Sequence, residues 1–178
     1  MDIQNYYLTK QRFTMTKLIL LTILMMGFQS INFAMDVTEQ VGQKFVDFSF
    51  YDLNGDAIES DILRKDKIMV LKIGQLSCPI CSEVLHDLGK IDKEYQKKGV
   101  AFLDVSFDTD ISALKAHSKE HDVDFPTLMD EEGALANYYD ISPIPVTIFA
   151  TKEGKIYRYV IGRISEKEIR ETLDKMLK

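Results

Sequence analysis

Tryptophan is absent from the 178 residues, cysteine occurs only twice, and there are three histidines and four prolines. Two cysteines are too few for a disulfide-dense secreted scaffold. Basic residues are outnumbered: 22 Lys and Arg face 28 Asp and Glu, for a formal net charge of −6. Phosphate contacts need a basic surface, so nucleic acid is excluded as a partner. No glycine-rich nucleotide-binding pattern, internal repeat or low-complexity tract occurs, and no bound cofactor is implied. What remains is 46% apolar and 28% charged, the proportions of a globular chain. At roughly 100–200 residues per domain, the length accommodates one domain and something small.

The small part is N-terminal. Leu18–Phe28 (LILLTILMMGF) is a charge-free apolar run preceded by Lys10, Arg12 and Lys17, the pattern of a secretory signal. Ala34 supplies a small residue before a cleavage point, with Asn32 a poorer one two places earlier. Extended from Leu18 to Met35, with breaks at Gln29, Ser30 and Asn32, the stretch approaches the ~20 residues of a membrane span. Residues 1–34 are therefore a signal peptide or a membrane anchor, with any anchor running through residues 18–35, and 35–178 are the exported domain. Both alternatives put that domain in a periplasmic or other extracytoplasmic space. No cysteine stands near the junction for lipid attachment, and Met15 is a more natural start for the signal than Met1. Losing Asp2, Lys10, Arg12 and Lys17 with the leader takes the formal charge from −6 to −8.

In the exported part, Phe45–Tyr51 alternates apolar and polar residues ahead of Asn54-Gly55, which predicts a strand entering a hairpin turn. Ile68–Ile73 and Val100–Phe107 are short, nearly continuous apolar runs, as for strands covered on both faces. Between them Cys81, Val84, Leu85, Leu88, Ile91 and Tyr95 fall at helical spacing up to Gly99, predicting one helix. A second helix is expected over Ile111–His121, capped by Asp110, and a short one over Ala134–Tyr139. Val146–Ala150 and Ile156–Ile161 flank Lys152-Glu153-Gly154, a hairpin signal. Ser165 and Glu168 form a capping box for a last helix carrying Ile169, Leu173 and Leu177. Strands separated by helices, closed by a terminal hairpin, give an α/β helix–sheet–helix sandwich in three layers.

Both cysteines lie in Cys78-Pro79-Ile80-Cys81, between a buried strand and an amphipathic helix. Pro79 suits the first helical position, where its missing N–H costs nothing. Residues three apart on a helix are ~5–6 Å from each other, inside disulfide range. A thiol at a helix N-terminus meets unpaired N–H groups and the positive end of the dipole, which favour thiolate. Cys78 is thus the expected nucleophile, and Cys81, on the apolar face, the resolving thiol of a redox-active pair. A purely structural bridge across four residues would remove little unfolded-state entropy. A structural zinc site wants four ligands and a second CxxC is missing, so no metal is assigned. For His86, His117 and His121 a solvated surface position is the default.

On these residues the chain resembles the thioredoxin-fold proteins of the TlpA/ResA-like kind, exported thiol–disulfide oxidoreductases related to the AhpC/TSA redoxins. The resemblance covers about residues 41–178. It rests on Gly42 with FVDFSFYDLNG, on the strand–CPIC–helix unit, and on YYDISPIPVTIFATKEGKI at 138–156. It implies a thioredoxin-like domain with an N-terminal β-hairpin extension, and it implies that Pro145 is the cis-proline of the loop packed on the CxxC. Pro143 is the alternative. The peptide group of Ile144 would then pair with a bound partner backbone. Three departures concern the proton handler and its surroundings. Ser77 replaces the tryptophan usual before the first cysteine. Lys72 stands six before Cys78, where thioredoxin has a buried acid. Val84 occupies the place of the acid that many TlpA-like proteins carry three after the second cysteine, with Glu83 one short. Lys72 and Glu83 are the candidate substitutes; the bland readings are a snorkelling strand lysine and a solvated carboxylate.

The resemblance implies exchange with protein thiols and disulfides. Its commonest form is reduction of apocytochrome c thiols during cytochrome c maturation, fed by a membrane thiol-electron donor; oxidase or isomerase roles are variants. A peroxiredoxin-like thiol peroxidase shares the fold, but that chemistry wants Thr or Ser three before the reactive cysteine and a proline further upstream, where Gln75 and Leu71 stand. A non-enzymatic copper chaperone would use the two thiolates and a histidine, although such proteins carry a longer CxxxC spacing.

Overall fold

The computed structural model describes residues 34–178; the expected leader or anchor and the start at Met15 fall outside them. Along the chain come β1 (Met35–Asp36), β2 (Ser49–Tyr51), β3 (Ala57–Glu59), α1 (Ser60–Arg64), β4 (Ile68–Gly74), α2 (Pro79–Gly89) and α3 (Asp92–Gln96). They are followed by β5 (Val100–Ser106), α4 (Ile111–Glu120), β6 (Thr127–Met129), α5 (Ala134–Tyr138), β7 (Val146–Ala150), β8 (Ile156–Ile161) and α6 (Glu166–Met176).

Every residue of β4 and β5 is buried, which is why both read as unbroken apolar runs rather than alternating ones. They pair in parallel from Ile68↔Val100 to Gly74↔Ser106, and β6 joins β5 in parallel. The β7–β8 hairpin adds antiparallel strands on the other side of β4, giving the sheet order β1-β8-β7-β4-β5-β6. β2 and β3 form the separate N-terminal hairpin. One apolar cluster joins Ile68, Val70, Phe102 and Phe149 to Val84 and Leu88 of α2 and to Ile169 and Leu173 of α6. The other joins Met69, Leu71, Leu103 and Ile148 to Leu135 of α5 and to Phe45. The sheet is therefore the middle of three layers. The capping box forms as expected: the Ser165 side chain accepts from the Glu168 N–H while Glu168 accepts from the Ser165 N–H.

The structure differs from the sequence reading in three places. The expected helix from Cys81 to Tyr95 breaks after Gly89, with α3 starting afresh at Asp92. Gly89 lies so close to the His121 carbonyl that a Cβ there would overlap it, so the helix yields to the end of α4. Of Phe45–Tyr51 only Ser49–Tyr51 is strand; the Phe45 N–H is drawn instead to the Gly154 carbonyl at 2.9 Å. Met35, the last residue of the apolar N-terminal stretch, belongs to the sheet edge, opposite Ile161. Among the described residues no helix is long and apolar enough to cross a membrane.

Candidate active site

β4 and β7 are antiparallel neighbours, and the pairing Ile73↔Val146 brings the segment after β4 and the segment before β7 to one end of the sheet. The first carries Cys78 and the second Ile144 and Pro145. Loop 75–77 is held from β5: the Asp108 carboxylate accepts from the Leu76 N–H at 2.7 Å and from the Ser106 hydroxyl at 2.8 Å. Cys78 is then the N-cap of α2, with Pro79 at the helix start and exposed. The Cys81 N–H points at the Cys78 Sγ, 3.1 Å away, so the helix end offers this sulfur the donor geometry that stabilises a thiolate.

Cys78 and Cys81 are joined by a disulfide with Cα atoms 5.2 Å apart. Cys78 is half-buried, whereas Cys81 has no exposed surface. A disulfide with one reachable sulfur opens by attack there and leaves the inner sulfur as the departing group. Behind Cys81 the backbone of β4 approaches closely. A methyl group on Gly74 would stand 2.8 Å from the Cys81 Sγ and 3.2 Å from the Lys72 Cε.

Lys72 does not snorkel. Its side chain is 2% exposed and its Nζ lies 2.8 Å from Asp104 Oδ1, itself buried. A lysine in the central strand of a sheet has no route to water, so its charge is held by the aspartate opposite it in register. Glu83 faces the other way: it is half-exposed and its Oε2 accepts from Arg163 Nε at 2.8 Å. Arg163 also donates to Asp87 at 2.6 Å, and the neighbouring Gly162 N–H donates to the Pro145 carbonyl at 2.8 Å. The Gly162–Arg163 segment thus ties the cysteine helix to the proline loop, through the arginine on one side and the glycine N–H on the other. Burial raises the Asp87 carboxyl, but Arg163 and Lys90 outweigh it and hold the group below its ordinary range.

The Ile144–Pro145 peptide bond is cis; Pro145 is buried, Ile144 half-buried and Pro143 exposed. The three histidines are not isolated on the surface. His117 and His121 rings meet edge-on at 4.5 Å, His86 and His121 at 5.6 Å, and His117 Nε2 lies 2.9 Å from the hydroxyl of Ser82, next to Cys81. Burial first, then the Lys72 charge, lowers the His117 pKa; burial first, then His117, lowers that of His121.

Asp104, Asp108, Arg163 and the His117–Ser82 contact were not anticipated from sequence. For Asp104 a signal existed: Ile68–Lys72 and Val100–Asp104 are two buried strands, each with one charge of opposite sign at the fifth place. Asp108 and Arg163 act across long sequence separations and leave no local mark.

The family model described as the AhpC/TSA family matches residues 41–159. The chain is 26% identical over 167 residues to the thiol–disulfide oxidoreductase ResA of Bacillus subtilis, covering 93% of each. Among solved structures, a putative thiol:disulfide interchange protein DsbE from Chlorobium tepidum superposes with a TM-score of 0.70 at 16% identity, over 78% of this chain and 98% of that one. The peroxidoxin BcpB of Mycobacterium tuberculosis gives 0.67 at 17% identity, over 77% and 96%. At these identities the two structures speak for the fold, which is thioredoxin-like.

Proposed function

The chain belongs to the AhpC/TSA family, and from that premise we propose a thiol–disulfide oxidoreductase that works outside the cytoplasm, with Cys78 as nucleophile and Cys81 as resolving thiol. The oxidoreductase activity accords with the ResA relatives. The observation that carries the roles is the contrast between a half-buried Cys78 capping α2 and a fully buried Cys81.

In the reducing direction, the Cys78 thiolate attacks a partner disulfide, one partner sulfur leaves, and a mixed disulfide forms on Cys78. The Cys81 thiolate then attacks the Cys78 sulfur, closing the 78–81 bridge and releasing the second partner sulfur. Pro79 starts the helix under Cys78, and Ile144 and Pro145 form the wall against which a partner segment would lie. The direction we assign is reduction, with apocytochrome c thiols as the substrate class and a membrane thiol donor as the electron source. Residues 1–34 would act as export signal or anchor. The support for these finer roles is the likeness to ResA and the basic–apolar pattern of Lys10 to Phe28.

The test is the reduction potential of the 78–81 pair in the 35–178 domain, equilibrated against glutathione or dithiothreitol. A value near or below ~−270 mV supports the reductant, and one near ~−120 mV marks an oxidase. A peroxidase would instead consume hydrogen peroxide with a thiol donor; Gln75, whose amide donates to the Ser77 hydroxyl at 2.8 Å, occupies the place that such chemistry gives to Thr or Ser.

A further inference from the structure

We propose that the end of the sheet that carries the cysteines rests on the surface of a lipid bilayer, with β1, β8, β7 and β4 toward the lipid and β5 and β6 away from it. The proposal rests on the anchored form of residues 1–34 given above.

One row of the sheet register carries the argument. Met35 of β1 pairs with Ile161 of β8, Ile161 with Val146 of β7, and Val146 with Ile73 of β4. β4 ends one residue after Ile73 and leads to Cys78, and Pro145 immediately precedes Val146. The polypeptide therefore enters the sheet in the same row from which both halves of the site depart. Three strand spacings of ~4.8 Å separate Met35 from Ile73, about 14 Å in all. Met35 is the first residue of β1, which runs away from this end, antiparallel to β8. The chain thus arrives from the side of the site, not from the far end of the sheet, where the turn at Lys152–Gly154 lies.

Little chain separates this point from the apolar run. Leu18–Phe28 alone is too short to cross a bilayer, because eleven residues of helix cover only about 16 Å against a hydrocarbon core of ~30 Å. To reach the ~17 residues that a span takes at least, an anchor has to run to the threshold of β1, and no tether is left. The fold also has a use for the last residue of that stretch. Ala34 packs against the apolar cluster shared by α2 and α6. A cut after it would remove this contact and place a charged amino group on the edge strand.

The surface around the site matches a lipid interface. In a chain that is 28% charged, three segments that meet here carry no charge at all: 73–82, 141–151 and 159–162. Met35 is 52% exposed; Pro79 and Pro143 are exposed, and Leu76, Ile80 and Ile144 half-buried. The charges close by are mostly engaged: Asp36 is bound by Arg158, and Arg163 by Glu83 and Asp87. Asp140 stands free ahead of the proline loop. Asp108, Asp110, Glu131 and Glu132 follow β5 and β6, across β4 from Met35. An anionic lipid surface repels that acidic half and leaves the uncharged half to settle. Cys78 is then held beside the lipid, and the thiol donor in reach is a dithiol presented at the bilayer surface. Soluble partners reach the site over the β5–β6 half.

The experiment uses the full chain reconstituted in vesicles of phosphatidylcholine and phosphatidylglycerol whose headgroups carry a nitroxide. A fluorophore is attached to Cys78 in Cys81→Ser protein, or to Glu153→Cys or Glu131→Cys in a chain with both native cysteines replaced by serine. Glu153 marks the far end of the sheet and Glu131 the acidic half. Quenching at 78 should exceed that at 153 several-fold, with 131 between them. Equal quenching at 78 and 153, or more at 131 than at 78, overturns the proposal. So does quenching at 78 that follows protein density rather than nitroxide content, which would put a second copy on this face. Mass spectrometry of the chain recovered from membranes should find residues 1–34 or 15–34 still attached; a chain beginning at Met35 overturns the proposal as well. Unlabelled Cys81→Ser protein in the same vesicles is offered a soluble disulfide. If it traps a mixed disulfide on Cys78 while the quenching test fails, the orientation alone is refuted; if it traps none, the exchange reading falls.

Discussion

Replacing Gly74 by alanine adds one methyl group at the point where β4 passes behind the disulfide. That carbon would meet the Cys81 Sγ at 2.8 Å, the Cys81 Cβ at 3.1 Å and the Lys72 Cε at 3.2 Å. The first distance is shorter than carbon and sulfur tolerate, so something must move. Overpacking of this kind costs about 1–3 kcal/mol. The cost depends on redox state. In the oxidised form Cys81 is held at one end by its helix and at the other by Cys78, and its sulfur has nowhere to go. In the reduced form the sulfur rotates about its own Cα–Cβ bond and takes up part of the strain. The oxidised protein should lose more stability than the reduced, and a difference of about 1.4 kcal/mol corresponds to a potential raised by about 30 mV. Urea unfolding of both forms gives the two stability losses, and equilibration with glutathione gives the potential; the thermodynamic cycle must close. Equal losses in the two forms, or a potential that falls, would refute the reasoning that the glycine exists to admit a fixed sulfur.

Arg163→Ala should cost about 1.5–3 kcal/mol, the range for hydrogen bonds to charged groups, because Asp87 is left buried with fewer donors. The folded Asp87 carboxyl lies below its unfolded value, so this stabilisation is present at neutral pH and is lost as pH falls through the folded pKa. Denaturation midpoints of native and variant chains should therefore converge in acid. Glu83→Gln, which loses only an exposed contact, should change stability by less than about 1 kcal/mol. The pKa of His117 is lowered by burial and then by the Lys72 charge, and that of His121 by burial and then by His117. The unfolded chain then binds protons first. Stability should decline as pH drops below the ordinary imidazole value of ~6.5, and His121→Gln should flatten that decline in urea titrations across the same range. An unchanged slope would mean that the ring cluster carries no linkage.

Much of the architecture was legible because burial leaves a plain mark on sequence. Strands covered on both faces cannot alternate, so β4 and β5 stand out; Ser165 and Glu168 announce the start of α6; and Pro79 between two cysteines fixes where α2 begins. What escaped was decided by groups distant in sequence. The break after Gly89 answers to the His121 carbonyl, which no periodicity in the helix reports. β1 and β6, of two and three residues, are too short to show a period and exist because β8 and β5 offer them partners. At the site, the cysteines, Pro145 and Lys72 were visible as types at positions, but the surroundings of Lys72 were not. Its charge looked like that of a strand lysine reaching for water until the parallel register placed Asp104 beside it. The histidines are 31 and 4 residues apart along the chain, and only the crossing of α2 and α4 brings their rings together.

The most direct measurement is mass spectrometry of the covalent species formed when each reduced single-cysteine variant meets a disulfide-containing protein. Cys81→Ser should accumulate a stable mixed disulfide on Cys78, since the attacking sulfur is present and the resolving one is gone. Cys78→Ser should form almost none, because Cys81, on the buried face of α2, has no exposed surface. Trapping on Cys81 instead, or on neither cysteine, would contradict the account.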